Sequence, residues 1–355
     1  MVQGATTLER VRSYLRQNRS RLRAAPTPEE QMEMLAQAQQ PSPEESIASL
    51  QVIEHDTMRA TAVPPADQPN ALRHFLDGIQ RQRILYYEGV VPVFYAYLSA
   101  VVRSRVDGRM CCLQLQHTPA LLQRDGLYAP LRYVDAEGLR QHGIPVRDTE
   151  AGTPLPPHPT LVQQSANRIS NDRELLEREL AQRWLQHLQE SGSEDWLVVD
   201  GGIGEISAAK PETRLIGLAK TSTGVERSLT PEQMRVVYGL AKGERTSVFA
   251  ISRPGQPATY SWFVRLHDPQ KGSLLFGLLR VEMPAVHDLL KHVDQLSSWL
   301  LQDRVPLSVP DPRYDRLLYP MRDCEQYLRA IAPSTAQLEA LVQMVPSTPM
   351  QETAF

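Results

Sequence analysis

Two apolar runs in this chain each end on an aspartate followed by glycine: Phe75-Leu76-Asp77-Gly78 and Val198-Val199-Asp200-Gly201. A carboxylate at the end of a buried strand is partly desolvated, which costs free energy unless a cation or a hydrogen-bond donor compensates. Two such strand ends brought together would form a hard-oxygen pocket for a divalent ion such as magnesium or manganese. The plainer use of Asp-Gly is a turn after a strand, and either pair taken singly has that reading. A third acid is available on a helix expected over Ile169–Glu190, with Asn171 or Asp172 as its N-cap. On a wheel of about 100° per residue, Leu176, Leu180, Ala181, Trp184 and Leu188 cluster on one side. Glu177 falls in the middle of that apolar face, whereas Glu179 points nearly the opposite way. An inward acid is expected either to pair with one of the many arginines or to bind a metal. Two strand-end aspartates and an inward glutamate make the kind of constellation used in two-metal phosphodiester cleavage.

Three basic groups could serve such a site. Lys220 ends the apolar run Leu215-Ile216-Gly217-Leu218-Ala219 and could neutralise charge developing at phosphorus, or simply snorkel from a strand end. Arg265 and His267 share one face of the alternating segment Tyr260–His267, where they could hold a phosphate and donate a proton, or lie on a solvated face. Other catalytic templates fail: the chain has no P-loop, no G-x-G-x-x-G after a strand, no H-E-x-x-H and no G-x-S-x-G.

The elements that must position these residues are legible in outline. Residues 1–68 begin with a charged amphipathic helix and continue through a Pro-punctuated polar stretch, which reads as a helical and irregular N-terminal extension. From about Asn70 short Val-, Ile-, Tyr- and Phe-rich runs predict strands at His74–Gln80, Arg83–Tyr87, Val91–Val102 and Met110–Gln116, with a turn at Asp107-Gly108. A Pro-rich loop is expected over 143–165. Further strands are expected at Trp196–Val199, Leu215–Lys220, Thr246–Ile251, Thr259–His267 and Ser273–Glu282, with helices near Pro231–Ala241, Pro284–Leu301 and Arg322–Ile331. This order implies an α/β fold, a mixed sheet flanked by helices over residues 69–335, followed by a short helix and tail over 336–355.

Composition narrows the function classes. With 355 residues, 41% apolar and 22% charged, the chain can bury a sizeable core. Its formal charge of −3 argues against a freestanding nucleic-acid binder, which draws most of its affinity from a basic surplus. Nearly all of the 38 basic residues are Arg, with no Lys before Lys210. No apolar run resembles a signal peptide or a membrane span, and the three cysteines form neither a zinc pattern nor a disulfide framework, so a reducing cytoplasm is expected.

At this point the residues resemble a known family. Phe75-Leu76-Asp77-Gly78-Ile79-Gln80-Arg81, Trp196–Gly201, Ile216-Gly217-Leu218-Ala219-Lys220-Thr221 and Trp262–Leu266 look like the NurA nucleases, in the right order across about residues 70–332. Leu318-Tyr319-Pro320-Met321-Arg322-Asp323-Cys324-Glu325 is similar to that family's Tyr-Pro segment, which leads into a late ligand. The resemblance implies an RNase H-like core, manganese-dependent cleavage of DNA, a homodimer, and partnership with the hexameric translocase HerA in DNA end processing. Carried over by position, Asp77 and Asp200 match the strand acids, Glu177 the helical glutamate and Glu325 the last ligand, normally His or Asp. Ile79 departs from the usual Asp-Gly-Ser and removes a hydroxyl beside the first acid. The expectation is therefore a deoxyribonuclease in which Asp77, Glu177, Asp200 and Glu325 hold Mn2+ or Mg2+, with Lys220 and Arg265 or His267 on the scissile phosphate. The rival from another class is a catalytically weak or inactive adaptor that keeps the fold and regulates a ring ATPase.

Overall fold

The structure, a computed structural model, describes residues 5–38, 49–113, 115, 117–207, 213–219, 225–269, 273–304 and 318–346. The chain opens with α1 (Thr7–Asn18), β1 (Leu22–Ala24), α2 (Pro28–Ala38), β2 (Ser49–Val52) and β3 (Ala60–Ala62). Two long strands follow, β4 (Leu72–Glu88) and β5 (Val91–Val106), then β6 (Arg109–Cys111), β7 (Leu121–Ala129), α3 (Ala136–Gln141) and β8 (Val146–Asp148). The long helix α4 (His158–Glu190) leads into β9 (Trp196–Asp200), α5 (Gly204–Ser207), β10 (Leu215–Ala219) and α6 (Pro231–Gly239). The chain continues through β11 (Glu244–Thr246), β12 (Phe249–Ser252), β13 (Thr259–Arg265), β14 (Leu278–Pro284), α7 (Val293–Asp303), α8 (Tyr319–Ile331) and α9 (Thr335–Val342).

The strands form one mixed sheet in the order β2-β12-β13-β14-β10-β9-β4-β5-β7-β8, with β9 parallel to both β4 and β10. Alternation along the central strands divides the core into two layers. Phe75 and Val198 pack on the side of α7 and α8, beside Trp299, Cys324 and Leu328. Leu76 and Val199 pack on the other side against Leu176, Leu180 and Trp184 of α4. The expected mixed sheet flanked by helices is what the chain builds, and the Asp107-Gly108 turn is present, with both residues at positive φ.

Three expectations give way. The strands predicted at His74–Gln80 and Arg83–Tyr87 are one strand, because β4 stays hydrogen-bonded to β5 throughout while its polar middle faces an opening. Asp77 therefore lies inside a strand, at the point where pairing with β9 stops, and Asp77-Gly78 makes no turn. The helix expected from Ile169 begins at His158, with Pro157 as N-cap and Pro159 in the first turn, where a missing N–H breaks no helical bond. Asp172 is consequently interior to α4, where it accepts a hydrogen bond from the Tyr128 hydroxyl at 3.0 Å.

The N-terminal residues are built into the sheet rather than appended to it. β1 pairs with β4, β2 with β12 and β3 with β11. Gln31 of α2 donates to the Gln82 carbonyl and accepts from the Ile84 N–H, closing part of the edge of β4 that β9 leaves open. Among the described residues no helix is long and apolar enough to cross a membrane.

Candidate functional site

The site follows from the unequal lengths of β4 and β9. Pairing between them ends at Leu76↔Val199, β9 itself ends at Asp200, and Gly201 at φ +97° turns the chain away, a conformation that favours glycine. The edge of β4 is next covered by β1, at Tyr86. Between these two partners lies a cleft of about 1070 Å³, lined by β4 from Gly78 to Arg83, by Arg173, Glu174, Glu177 and Arg178 of α4, and by Asp200.

Four acids on four elements, β4, α4, β9 and α8, lie in this region, and Glu177 and Asp200 line the opening itself. Asp77, 8% exposed, follows Phe75 on the α8 side of the sheet. Its Oδ1 accepts the Gly78 N–H at 2.8 Å. Glu177 descends from α4 on the opposite side and lies directly over Gly78, so that a Cβ on that glycine would overlap its carboxylate. Glu325 faces the cluster from α8, whose neighbouring Cys324 is buried against the Phe75 carbonyl at 3.4 Å. Two of these carboxyls titrate away from their ordinary range, Asp77 and Glu177. Burial pushes the Asp77 carboxyl well above the usual carboxylate range, and the charges of Asp200, Glu177 and Glu325 push it further. Burial likewise raises Glu177 to about 7, against the stabilising charge and hydrogen bond of Arg173 and with a further push from Asp200.

Arginines supply the counter-charge. Arg173 donates to Glu177 one turn on, and Arg329 donates to Glu325 across the same spacing. The cleft is lined by Arg81, Arg83, Arg173, Arg178, Arg253, Arg280 and Arg329. Arg81 is anchored on the carbonyl of Pro333 at 2.8 Å, and Arg83 on Glu339 at 2.8 Å. At the far wall Glu282, fully buried, accepts from Arg253 at 3.0 Å, from Arg280, and from the Ile203 N–H at 3.3 Å. Both guanidinium charges hold its carboxyl below the ordinary value despite burial.

The sequence-predicted residues divide accordingly. Glu177 and Asp200 line the cleft, while Asp77 and Glu325 do not, although Asp77 feels the charges of the other three. Lys220 lies outside the described residues. Arg265 is corrected: it is fully buried and spends its donors on the carbonyls of Leu240, Leu274, Phe276 and Tyr238. It clamps the β13 end to the C-terminal end of α6 and to the turn before β14, neither solvated nor lining the cleft. His267 is 7% exposed, lies tilted against Phe276 with ring centroids 6.2 Å apart, and does not line the cleft either. Of the two outcomes expected for the inward Glu177, pairing with an arginine is present, with Arg173 as the partner. Arg173–Glu177 and Glu325–Arg329 are i,i+4 pairs that the sequence displays, whereas Arg253 and Arg280 meet only through strand order.

The donor set consists of carboxylate oxygens, the ligand type that suits Mg2+ or Mn2+. Its mutual repulsion is what a divalent cation would relieve. In this arrangement Arg173 and Arg329 occupy two of the carboxylates, and among the described residues no group of three or more His, Cys, Asp or Glu side chains is placed so that it could hold a metal ion. No protein-family model matches the chain, and no curated protein matches it.

Proposed function

We propose that this chain is a metal-dependent DNA nuclease with an RNase H-like core, of the NurA type, acting with a HerA-type hexameric translocase in DNA end processing, repair or anti-phage defence. The observation that carries the reading is that Glu177 and Asp200 line an arginine-rich cleft beside the buried Asp77, whose carboxyl is pushed up by their charges and by that of Glu325. Acids that repel one another beside cations suited to phosphate are the two halves of a phosphodiester-cleaving site. A homodimer working in the cytoplasm belongs to the same proposal.

Asp77, Glu177, Asp200 and Glu325 are the residues that would hold Mn2+ or Mg2+. When bound, such ions lower the pKa of an attacking water and offset the charge gathering on the phosphate oxygens. The chain's own residues do the positioning. Gly78 leaves the space that lets Glu177 reach the strand, and β9 ends so that Asp200 enters the cleft. Arg173, paired with Glu177 one helical turn on, lines the same cleft, where its planar fork could take a phosphate oxygen. The near-neutral overall charge suits a nuclease fed by a partner more than one that searches for DNA alone.

The test is digestion of linear DNA with manganese and with chelator, comparing the wild type with Asp77→Ala and Asp200→Ala. Manganese-dependent cleavage lost in both variants supports the proposal, and equal activity in all three ends it. A second reading, a non-catalytic adaptor for a ring ATPase, is favoured by the engagement of Glu177 and Glu325 with arginines. Calorimetric titration with manganese separates the two, since an adaptor shows no carboxylate-dependent uptake.

A further inference from the structure

The floor of the cleft is a strand edge that the sheet leaves unpaired. β5 pairs with β4 from His74 to Glu88, but on the other edge β9 stops at Leu76 and β1 begins at Tyr86. In an antiparallel pair each residue turns its N–H and C=O to one edge, and successive residues alternate. The Gln82 carbonyl and the Ile84 N–H both meet Gln31 on the open edge, so Gly78 and Gln80 present their main-chain groups there as well. Asp77 takes the Gly78 N–H. Among the described residues no group meets the N–H of Gln80 or Gln82, or the carbonyls of Gly78 and Gln80. Residues Gly78 to Gln82 are all partly exposed and line the cleft, so this edge faces a space that a ligand can enter. Main-chain groups drawn away from bulk water require partners.

Arg81 stands in the middle of this edge and differs from its neighbours in the cleft lining. Arg83, Arg173, Arg178 and Arg329 are each bound to a carboxylate, those of Glu339, Glu177, Glu205 and Glu325. Arg81 instead donates to the carbonyls of Pro333 at 2.8 Å and Arg329 at 3.4 Å. Those acceptors are neutral, so they aim the guanidinium without cancelling its charge, and among the described residues it has no acidic partner. Arg81 follows Asp77 by four residues, which at the usual strand rise is roughly 13 Å along β4. A guanidinium fork and free main-chain N–H groups are the donors by which proteins hold the phosphates of a nucleic-acid backbone.

We propose that the open edge of β4 seats a single nucleic-acid strand, with Arg81 and the N–H groups of Gln80 and Gln82 on its phosphates. The phosphate track then runs along β4, from the acids beside Gly78 toward the point where Gln31 closes the edge. The inference rests on the proposed nuclease reading for the choice of nucleic acid as ligand. The open edge and the unneutralised guanidinium stand on geometry alone.

The experiment is anisotropy of a labelled single-stranded DNA oligonucleotide with the full chain in chelator, across a salt series. The wild type is compared with Arg81→Gln and with Arg12→Gln, an exposed α1 arginine that does not line the cleft. Arg81→Gln is expected to weaken binding about tenfold, the scale of one charge-assisted contact, and to lower the salt slope by about one. Arg12→Gln should change neither. Equal losses in the two variants, no loss in Arg81→Gln, or a wild type that does not bind overturns the proposal. Hydrogen exchange of the wild type keeps the question open to test if Arg81→Gln misfolds: the amides of Gln80 and Gln82 should slow when the oligonucleotide is added, and unchanged exchange overturns the seat. Oligo-glutamate or inorganic phosphate competing as strongly as the DNA would reassign the ligand to an acidic peptide or a free anion and overturn the nucleic-acid assignment. Arg81-dependent binding without manganese-dependent cleavage leaves the seat standing while the nuclease proposal falls. Cleavage with unprotected amides does the reverse.

Discussion

Gly78 and Glu177 share one space: the glutamate carboxylate occupies the position where any larger residue at 78 would place its Cβ. The glycine of the Asp77-Gly78 pair thus faces the side-chain end of a glutamate on a helix about a hundred residues away, and makes no turn. Gly78→Ala should push Glu177 off the strand. Overpacking of this kind costs about 1–3 kcal/mol, and a displacement on the ångström scale costs on the order of a hundredfold in rate. Thermal unfolding and manganese-dependent cleavage measure the two effects, and a variant with wild-type values for both would show that Glu177 is free to sit elsewhere.

Asp77 should cost the metal-free protein stability at neutral pH. Its carboxyl is held well above the unfolded value by burial and by Asp200, Glu177 and Glu325, so ionisation is easier in the unfolded chain. The stability it contributes is complete below the unfolded value near 3.8 and is lost as pH rises through the folded value. Asp77→Asn removes that charge, and the melting temperature in chelator at pH 7 should rise. A fall would mean that the acids are already compensated.

His74 gives a dependence of the opposite sign. Burial lowers it from 6.5 to about 4, with Asp195 opposing and His187 reinforcing the shift. Its ring contacts the Ser104 hydroxyl at 2.9 Å and lies 5.4 Å from Trp184. A depressed histidine contributes stability that is present above 6.5 and lost as pH falls toward 4, amounting to about 3 kcal/mol at the end of that window. Denaturant unfolding between these pH values should show the loss in the wild type and a shallower one in His74→Gln.

Arg265→Gln should act on stability and leave binding alone. Four carbonyls lose a charged donor, which costs at least about 3 kcal/mol. The fraction that remains folded should bind an oligonucleotide with wild-type affinity. Weakened binding in that folded fraction would return Arg265 to the phosphate track.

Removing residues 1–68 should fail to leave an intact folded domain. It uncovers the edges that β1, β2 and β3 protect and strips Gln31 from the buried Arg83, to which it is bonded at 2.6 Å. Exposed strand edges template association. The truncated chain is expected to aggregate on size-exclusion chromatography, and a monodisperse, cooperatively unfolding product would make the N-terminal region dispensable.

Local pattern was enough for much of this protein. Period-two and period-3.6 apolar spacing placed the central strands, the helix that carries Glu177 and the inward direction of that glutamate, because each depends on neighbours within one element. Asp200 at a strand end was readable for the same reason: the apolar run stops there. What only the tertiary structure decided were relations between distant segments. The polar stretch 78–83 remains a strand because β5 pairs with it, which no local propensity announces. Residues 1–68 join the sheet because their short strands find edges far along the chain. Arg265 and Arg280 lie on neighbouring strands, in segments whose alternation looks alike. Strand order buries one under backbone carbonyls and turns the other toward a shared carboxylate and the cleft. A guanidinium's role depends on which acceptors surround it, and those acceptors are assembled only when the sheet closes.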